Sequence, residues 1–250
     1  MIDMHTHILP CIDDGTKDEE MAKQMVESVY AQGVKNIVFT PHYYGKLSTD
    51  EFIQKREEVF FAIKDSIPED VKTYMGAEVH FAGANLFQLE ALGKLRIGET
   101  RYILIELPFL EKWSQTLLSK LSDFMDETDC TPIIAHVERY KEVRKNPAII
   151  SVLVKMGCLI QVNASAFLEK KDKSFAFALL KKGLVHCLGS DVHDMELRAC
   201  RYEQAKSEIE KAGFGGQLEK IHENMVRVLE NKTVRTPEIR SVKKFFGLYY

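Results

Sequence analysis

The sequence predicts an α/β protein folded as a closed parallel barrel of the TIM type. Three observations predict it. Short apolar segments alternate with amphipathic helical segments along nearly the whole chain, giving seven strand candidates. Those segments run continuously apolar, the pattern of strands buried on both faces. No G-x-G-x-x-G turn follows any of them, which weighs against an open dinucleotide-binding sheet.

The strand candidates, in order, are Ile2–His5, Asn36–Thr40 (NIVFT), Thr73–Glu78 (TYMGAE), Tyr102–Glu106 (YILIE), Pro132–His136 (PIIAH), Leu159–Asn163 (LIQVN) and His186–Gly189 (HCLG). Helical periodicity fills the gaps at Glu19–Gln32, Asp50–Asp65, Ser114–Thr128, Pro147–Met156 and Ser174–Lys182, and Glu196–Ala212 and Gln217–Glu230 follow the last strand. Gly33, Gly157 and Gly183 each stand between a helix and the next strand, where a C-terminal glycine belongs. An eighth strand stays open. No low-complexity linker interrupts the pattern, so residues 1–250 read as one domain with 235–250 as a C-terminal tail.

Composition narrows the function. The chain has 250 residues, 45% hydrophobic and 28% charged, enough for a substantial core. Its net charge of −3 provides no global basic field for nucleic acid. The start lacks a basic n-region and carries Asp3 early, and no apolar run approaches the roughly 20 residues of a membrane span. A cytoplasmic protein without a signal peptide or transmembrane segment is expected. Five cysteines with no C-x-x-C argue against a disulfide framework or a thiolate zinc site.

In parallel α/β folds the chemistry sits at the carboxyl ends of the strands, and here those ends are rich in donors. His5-x-His7 aims two imidazoles to one face of a strand. The next turn supplies Asp13 and Asp14. Later ends supply His42, Glu78 and His80, Glu106, His136 with Arg139, Asn163 and Ser165, then Asp191 with His193. Singly, each has a plain reading: Asp14-Gly15 is a turn, and His42 after Pro41 is a loop residue. Glu106 and His136 end apolar runs, where a carboxylate is costly to bury unless paired or metal-bound. Joint placement at one end of consecutive strands makes coincidence improbable. The nine candidate ligands are His5, His7, Asp14, His42, Glu78, Glu106, His136, Asp191 and His193. They are too many for one ion. Mixed nitrogen and oxygen donors suit manganese, iron or zinc, and bridging carboxylates allow three divalent ions. Three such ions outweigh four carboxylates and leave a positive centre that attracts a phosphate dianion.

The motifs D-x-H-x-H-I-L-P-x-I-D-D-G, T-P-H, G-x-E, E-L-P, A-H-x-E-R-Y and G-S-D-x-H, in this order over nearly the whole chain, resemble the polymerase-and-histidinol-phosphatase (PHP) superfamily. The first and fifth resemble specifically its bacterial tyrosine phosphatases encoded with capsule and exopolysaccharide genes. The resemblance implies a distorted TIM-like (β/α)7 barrel, the PHP fold, with a trinuclear site that often holds manganese (iron, zinc or magnesium being alternatives). It also implies hydrolysis of phosphotyrosine on a partner bacterial tyrosine kinase. By position, His5, His7, Glu78 and Asp191 would hold one metal. Glu78, Glu106 and His136 would hold a second, with Glu78 bridging, and Asp14, His42 and His193 a third. One departure is Cys11, where the pattern has glycine or another small residue.

The expected chemistry is metal-assisted phosphomonoester hydrolysis, since bound water reaches a pKa near ~7. Arg139 and Arg198, the latter on the predicted helix after His193, are the candidate phosphate contacts, because a guanidinium fork matches phosphate. Tyr43, Tyr44, Phe81 and Phe109 could flank a phenyl ring or simply pack loops. A cysteine-dependent phosphatase is excluded: the residues six after the cysteines are Lys17, His136, Ala164, His193 and Lys206, so no C-x5-R loop exists. The rival activities are a histidinol-phosphate or other small-molecule phosphatase and a phosphodiesterase acting on nucleic acid, which the acidic balance disfavours. A metal-stabilised scaffold without catalysis is the rival from another class. The tail, basic then aromatic, reads as a partly ordered terminus, with homo-oligomer contact or kinase docking as alternatives.

Overall fold

The structure, a computed structural model, describes residues 1–109 and 113–235 and, within the tail, 242, 244, 245, 248 and 249. In chain order the elements are β1 (Ile2–Thr6), α1 (Glu19–Ala31), β2 (Asn36–Phe39), β3 (His42–Tyr43), α2 (Thr49–Ile63), β4 (Lys72–Met75), β5 (Glu78–His80), α3 (Leu89–Leu92) and β6 (Tyr102–Glu106). Then come α4 (Gln115–Thr128), β7 (Thr131–Ile134), α5 (Lys141–Lys145), α6 (Ala148–Lys155), β8 (Leu159–Asn163), α7 (Lys173–Lys181), β9 (Cys187–Gly189), α8 (Tyr202–Lys211) and α9 (Gly215–Leu229). In the tail, β10 (Lys244–Phe245) pairs antiparallel with β11 (Leu248–Tyr249).

β1, β6 and β8 are buried along their whole length, as continuous apolar runs require. β1 pairs in parallel with β2, and β2 with β4. A second parallel sheet runs in the order β3-β5-β6-β7-β8-β9. The two sheets are halves of one curled sheet. β2 and β3 are a single stave broken at Thr40-Pro41, where proline lacks the ladder N–H, and β4 and β5 are a stave broken at Gly76-Ala77. Gly76 N–H donates to Phe39 O (2.9 Å) and Glu78 N–H to Pro41 O (3.1 Å), carrying the pairing across both breaks. The ends meet where Thr6 bridges Val192, His7 N–H donates to Val192 O (3.0 Å) and Asp191 N–H donates to His5 O (2.9 Å). Seven parallel staves therefore come round into a barrel distorted by two breaks, as expected. The expected third strand, Thr73–Glu78, is where one break falls.

Three helix starts follow side-chain capping. Asp18 accepts from Met21 N–H at α1 (2.8 Å), Ser48 and Glu51 form a reciprocal capping box at α2, and Ser114 accepts from Leu117 N–H at α4 (3.2 Å). One expected helix is shorter than its periodicity suggests. Glu196–Ala212 becomes helical only from Tyr202, because Asp194 accepts from Glu196 N–H (2.7 Å) and Arg198 N–H (2.9 Å) and holds a turn instead. Arg198 thus lies in the loop after β9 and not on a helix. Most of the tail expectation falls outside the described residues; within them, the Tyr249 ring packs tilted against Phe175 of α7 with centroids 4.5 Å apart. No described helix is long and apolar enough to cross a membrane.

Candidate metal centre

At the carboxyl ends of the staves the structure brings all nine candidate ligands to one mouth. His5, His7, Glu78, Glu106, His136, Asp191 and His193 are buried there, His42 is half-buried, and the Asp14 side chain is 65% exposed at the rim. Gly15, the glycine of the Asp-Asp-Gly turn, allows the approach: a Cβ on it would meet His7 O at 2.1 Å. His136 (φ 32°) and Asp191 (φ 55°) occupy the left-handed region. This is strained for both and bends the chain at the mouth.

The donor set fits divalent cations on geometry. His7 Nδ1 lies 2.7 Å from Asp13 Oδ2, and His5 Nδ1 lies 3.3 Å from Gln161 Oε1. With those nitrogens donating outward, both Nε2 atoms carry lone pairs. They nevertheless face each other at 2.9 Å, with Glu78 Oε2 at 3.2 and 3.3 Å. With both imidazoles neutral, such a cluster of acceptors repels itself unless positive charge, a proton or a metal ion, lies among it. Glu78 Oε2 and His42 Nδ1 are 3.0 Å apart without a hydrogen bond between them, and both are buried without partners, as is His193 Nε2. Donor atoms of His7, Asp14, His42 and His193 lie within 4.8 Å of one another, as do those of His5, His7 and Glu78, and those of His42, Glu78 and Glu106. His136 Nε2 joins them, 2.7 Å from Glu78 Oε1 and 3.5 Å from Glu106 Oε1.

The charges of the centre act strongly on one another. Burial alone would lower the His7 pKa, but Asp13 and Glu78 lift it to about 10; burial of His136 is likewise overcome, chiefly by Glu78 and also by Glu106, to about 9. Burial would raise Glu106, yet its bonds to His136 and His80 bring it to about 2. A histidine ligand must be neutral, so cation binding here expels protons.

Arg139 and Arg198 both reach the mouth, and both grip Asp191. Arg139 Nη1 donates to Oδ2 (3.0 Å) and Arg198 Nη2 to Oδ1 (2.7 Å). Other polar side chains aim the donors: Asp13 on His7, Asn163 on Asp191 (2.8 Å) and His80 on Glu106 (3.0 Å), all three at strand ends or turns that the sequence marks, and Gln161, which sequence reading did not single out, on His5 and on His136 N–H (2.6 Å). Gln161 had a signal, a polar side chain inside the apolar run LIQVN. Of the four loop aromatics, Tyr43 and Phe81 are core, whereas Tyr44 and Phe109 lie at the mouth.

A TIM-like parallel barrel whose strand ends converge imidazoles and carboxylates defines the class of this protein as an α/β barrel with a candidate metal centre. A family model described as capsular polysaccharide synthesis, CpsB/CapC, matches residues 1–230, and the chain belongs to that family. It is similar to tyrosine-protein phosphatase YwqE of Bacillus subtilis, 31% identical over 259 residues and covering 100% of both chains. It is also similar to tyrosine-protein phosphatase CpsB of Streptococcus pneumoniae, 31% identical over 227 residues, covering 84% of this chain and 90% of the relative. A crystal structure from work on YwqE and CpsB, described as unique metal-dependent tyrosine phosphatases, superposes with a TM-score of 0.83 at 29% identity, covering 98% of this chain and 100% of the other.

Proposed function

We propose that this chain is a metal-dependent protein-tyrosine phosphatase of capsular polysaccharide synthesis, acting in the cytoplasm on phosphotyrosine of a cognate tyrosine kinase. The observation that carries the metal chemistry is the 2.9 Å approach of two outward-anchored imidazoles beside the unpartnered oxygen of Glu78. The relatives' activity and the arginines at the mouth support the choice of phosphotyrosine. In this reading three ions, manganese first among the candidates, would be held by His5, His7, Glu78 and Asp191, by Glu78, Glu106 and His136, and by Asp14, His42 and His193. When bound, they supply Lewis-acid charge and an activated nucleophile at neutral pH.

The chain's own residues do the rest. Asp13 and Gln161 hold His7 and His5 with Nε2 turned inward. Asp191 anchors Arg139 and Arg198 so that their remaining N–H groups meet the non-bridging phosphate oxygens as charge develops on them. A phenol of pKa about 10 leaves without strong acid help, so no proton donor is required. The test compares a phosphotyrosyl peptide, histidinol phosphate and single-stranded DNA as substrates after chelation and re-addition of manganese. Phosphotyrosine turnover that chelation abolishes, manganese restores and thiol alkylation leaves intact is expected. Preference for histidinol phosphate, or loss on alkylation, would overturn the reading.

A further inference from the structure

Two aromatic rings stand over the centre and take no part in the ligand set. Tyr44 stacks on His42 with centroids 4.9 Å apart and planes at 30°, and lies 5.5 Å from His80. Phe109 stacks on His136 at 5.4 Å and 24°, with the Arg139 guanidinium 5.1 Å from its face. His42 approaches one oxygen of Glu78 and His136 the other, so the two rings flank the same carboxylate from different sides. Tyr44 is 48% exposed and Phe109 half-buried, leaving aromatic surface open to whatever enters the mouth.

The Tyr44 wall is held in advance. Buried Asn85 donates to His80 O (2.8 Å) and Tyr43 O (3.5 Å), tying the loop after β3 to the end of β5. Gly45 has φ 74°, and a Cβ there would meet Asn85 Oδ1 at 2.2 Å, so only glycine lets the two segments close on each other. A ring fixed this way loses little freedom when it meets a ligand.

We infer that Tyr44 and Phe109 form an aryl slot that takes the phenyl ring of the substrate and sets its preference for aryl over alkyl phosphates. The inference rests on the phosphatase reading of the same centre. With the phosphate at Arg139 and Arg198, Phe109, whose ring centroid lies 5.1 Å from the Arg139 guanidinium, would be the wall beside a phenyl ring on the ester oxygen, and Tyr44 over His42 would be the other. An alkyl phosphate presents no ring there, so stacking favours the aryl ester selectively.

The test uses the full chain loaded with manganese. Calorimetry compares phenylphosphonate with methylphosphonate, which carry no ester bond to hydrolyse, and kcat/KM compares phosphotyrosyl with phosphoseryl peptides of one sequence. Tyr44→Ala and Phe109→Ala should each shrink the phenyl-to-methyl affinity ratio by about tenfold and the kcat/KM ratio with it. Tyr44→Phe, which keeps the ring, should hold both ratios. Alanine variants that retain both preferences would overturn the slot while leaving a working phosphatase. Wild-type protein that favours phenylphosphonate without turning over the phosphotyrosyl peptide would uphold the slot and overturn the proposed activity.

Discussion

His136 and His186 are buried in the same barrel at opposite ends of its strands, and their surroundings drive them apart. At the carboxyl end, Glu78 and Glu106 override burial and hold the His136 pKa at about 9. At the amino end, His186 has no such partner. Its Nδ1 accepts from Ile160 N–H (3.1 Å), and burial alone takes its pKa to about 4. The mouth therefore gathers carboxylates that demand positive charge, and the surroundings of His186 exclude it. The demand at the mouth can be met by protons or by cations, and the facing Nε2 lone pairs of His5 and His7 favour cations.

The strongest way to break this comparison is to remove the carboxylate at its centre. Glu78→Gln keeps the shape but not the charge, and should lower kcat/KM about a thousandfold, the several kcal/mol that metal charge supplies. Metal content measured on the same sample should fall in parallel. Full metal occupancy in the variant would show that Glu78 is not what draws the cations.

Chelation should come next in size. Cations binding only the folded chain stabilise it by about 4 kcal/mol at a thousand times their dissociation constant, so scanning calorimetry should show a large drop in Tm on metal removal. The sign with pH follows from His7 and His136. Their folded pKa values, about 10 and about 9, lie above the unfolded value. In metal-free protein their contribution is full below about pH 6.5 and is lost as pH rises through those values. The gap in Tm between loaded and metal-free protein should therefore widen from pH 6 to pH 8. A gap that narrows would place the stabilising charge elsewhere.

His186 gives a smaller effect of opposite sign. Its folded pKa is lowered, so the stability of the neutral form is complete above about pH 6.5 and falls as pH drops toward 4. Between pH 7 and pH 5 the linked loss is about 2 kcal/mol. His186→Phe should remove that loss, seen as a flatter urea-derived stability over this interval than wild type. An equal slope in both proteins would mean that His186 is hydrated and not excluded from charge.

The barrel was legible because its staves are plain apolar runs: Tyr102–Glu106 and Leu159–Asn163 were located to the residue. Glu106 and His136 were legible because each ends such a run, whereas Asp14 and His42 stand in turns beyond the strands and drew notice only through their company. What escaped was long-range in origin. Arg198 looks helical by periodicity, and only the local bonds of Asp194 turn it into a loop residue facing Asp191. Gln161 acts on His5, 156 positions away, a pairing that no local pattern encodes. The broken staves depend on how Pro41 and Gly76 meet the neighbouring strands.

The smallest effect separates strain that serves the mouth from strain that does not. Asp191 (φ 55°) and Cys11 (φ 57°) share the left-handed conformation, which costs a residue with a side chain about 1 kcal/mol. At Asp191 the side chain receives Arg139, Arg198 and Asn163, so its strained backbone is part of the site. Exposed Cys11 makes one side-chain bond, from Sγ to Lys17 O (2.8 Å), outside the ligand set. Cys11→Gly should therefore stabilise the chain by roughly 0.5 kcal/mol, the relief of strain less the entropy of a freer unfolded chain, with kcat/KM unchanged. Asp191→Gly relieves the same strain but should lose activity and metal together. If Cys11→Gly instead destabilises the protein, the Lys17 bond outweighs the strain, and the turn that carries Asp13 and Asp14 depends on that thiol.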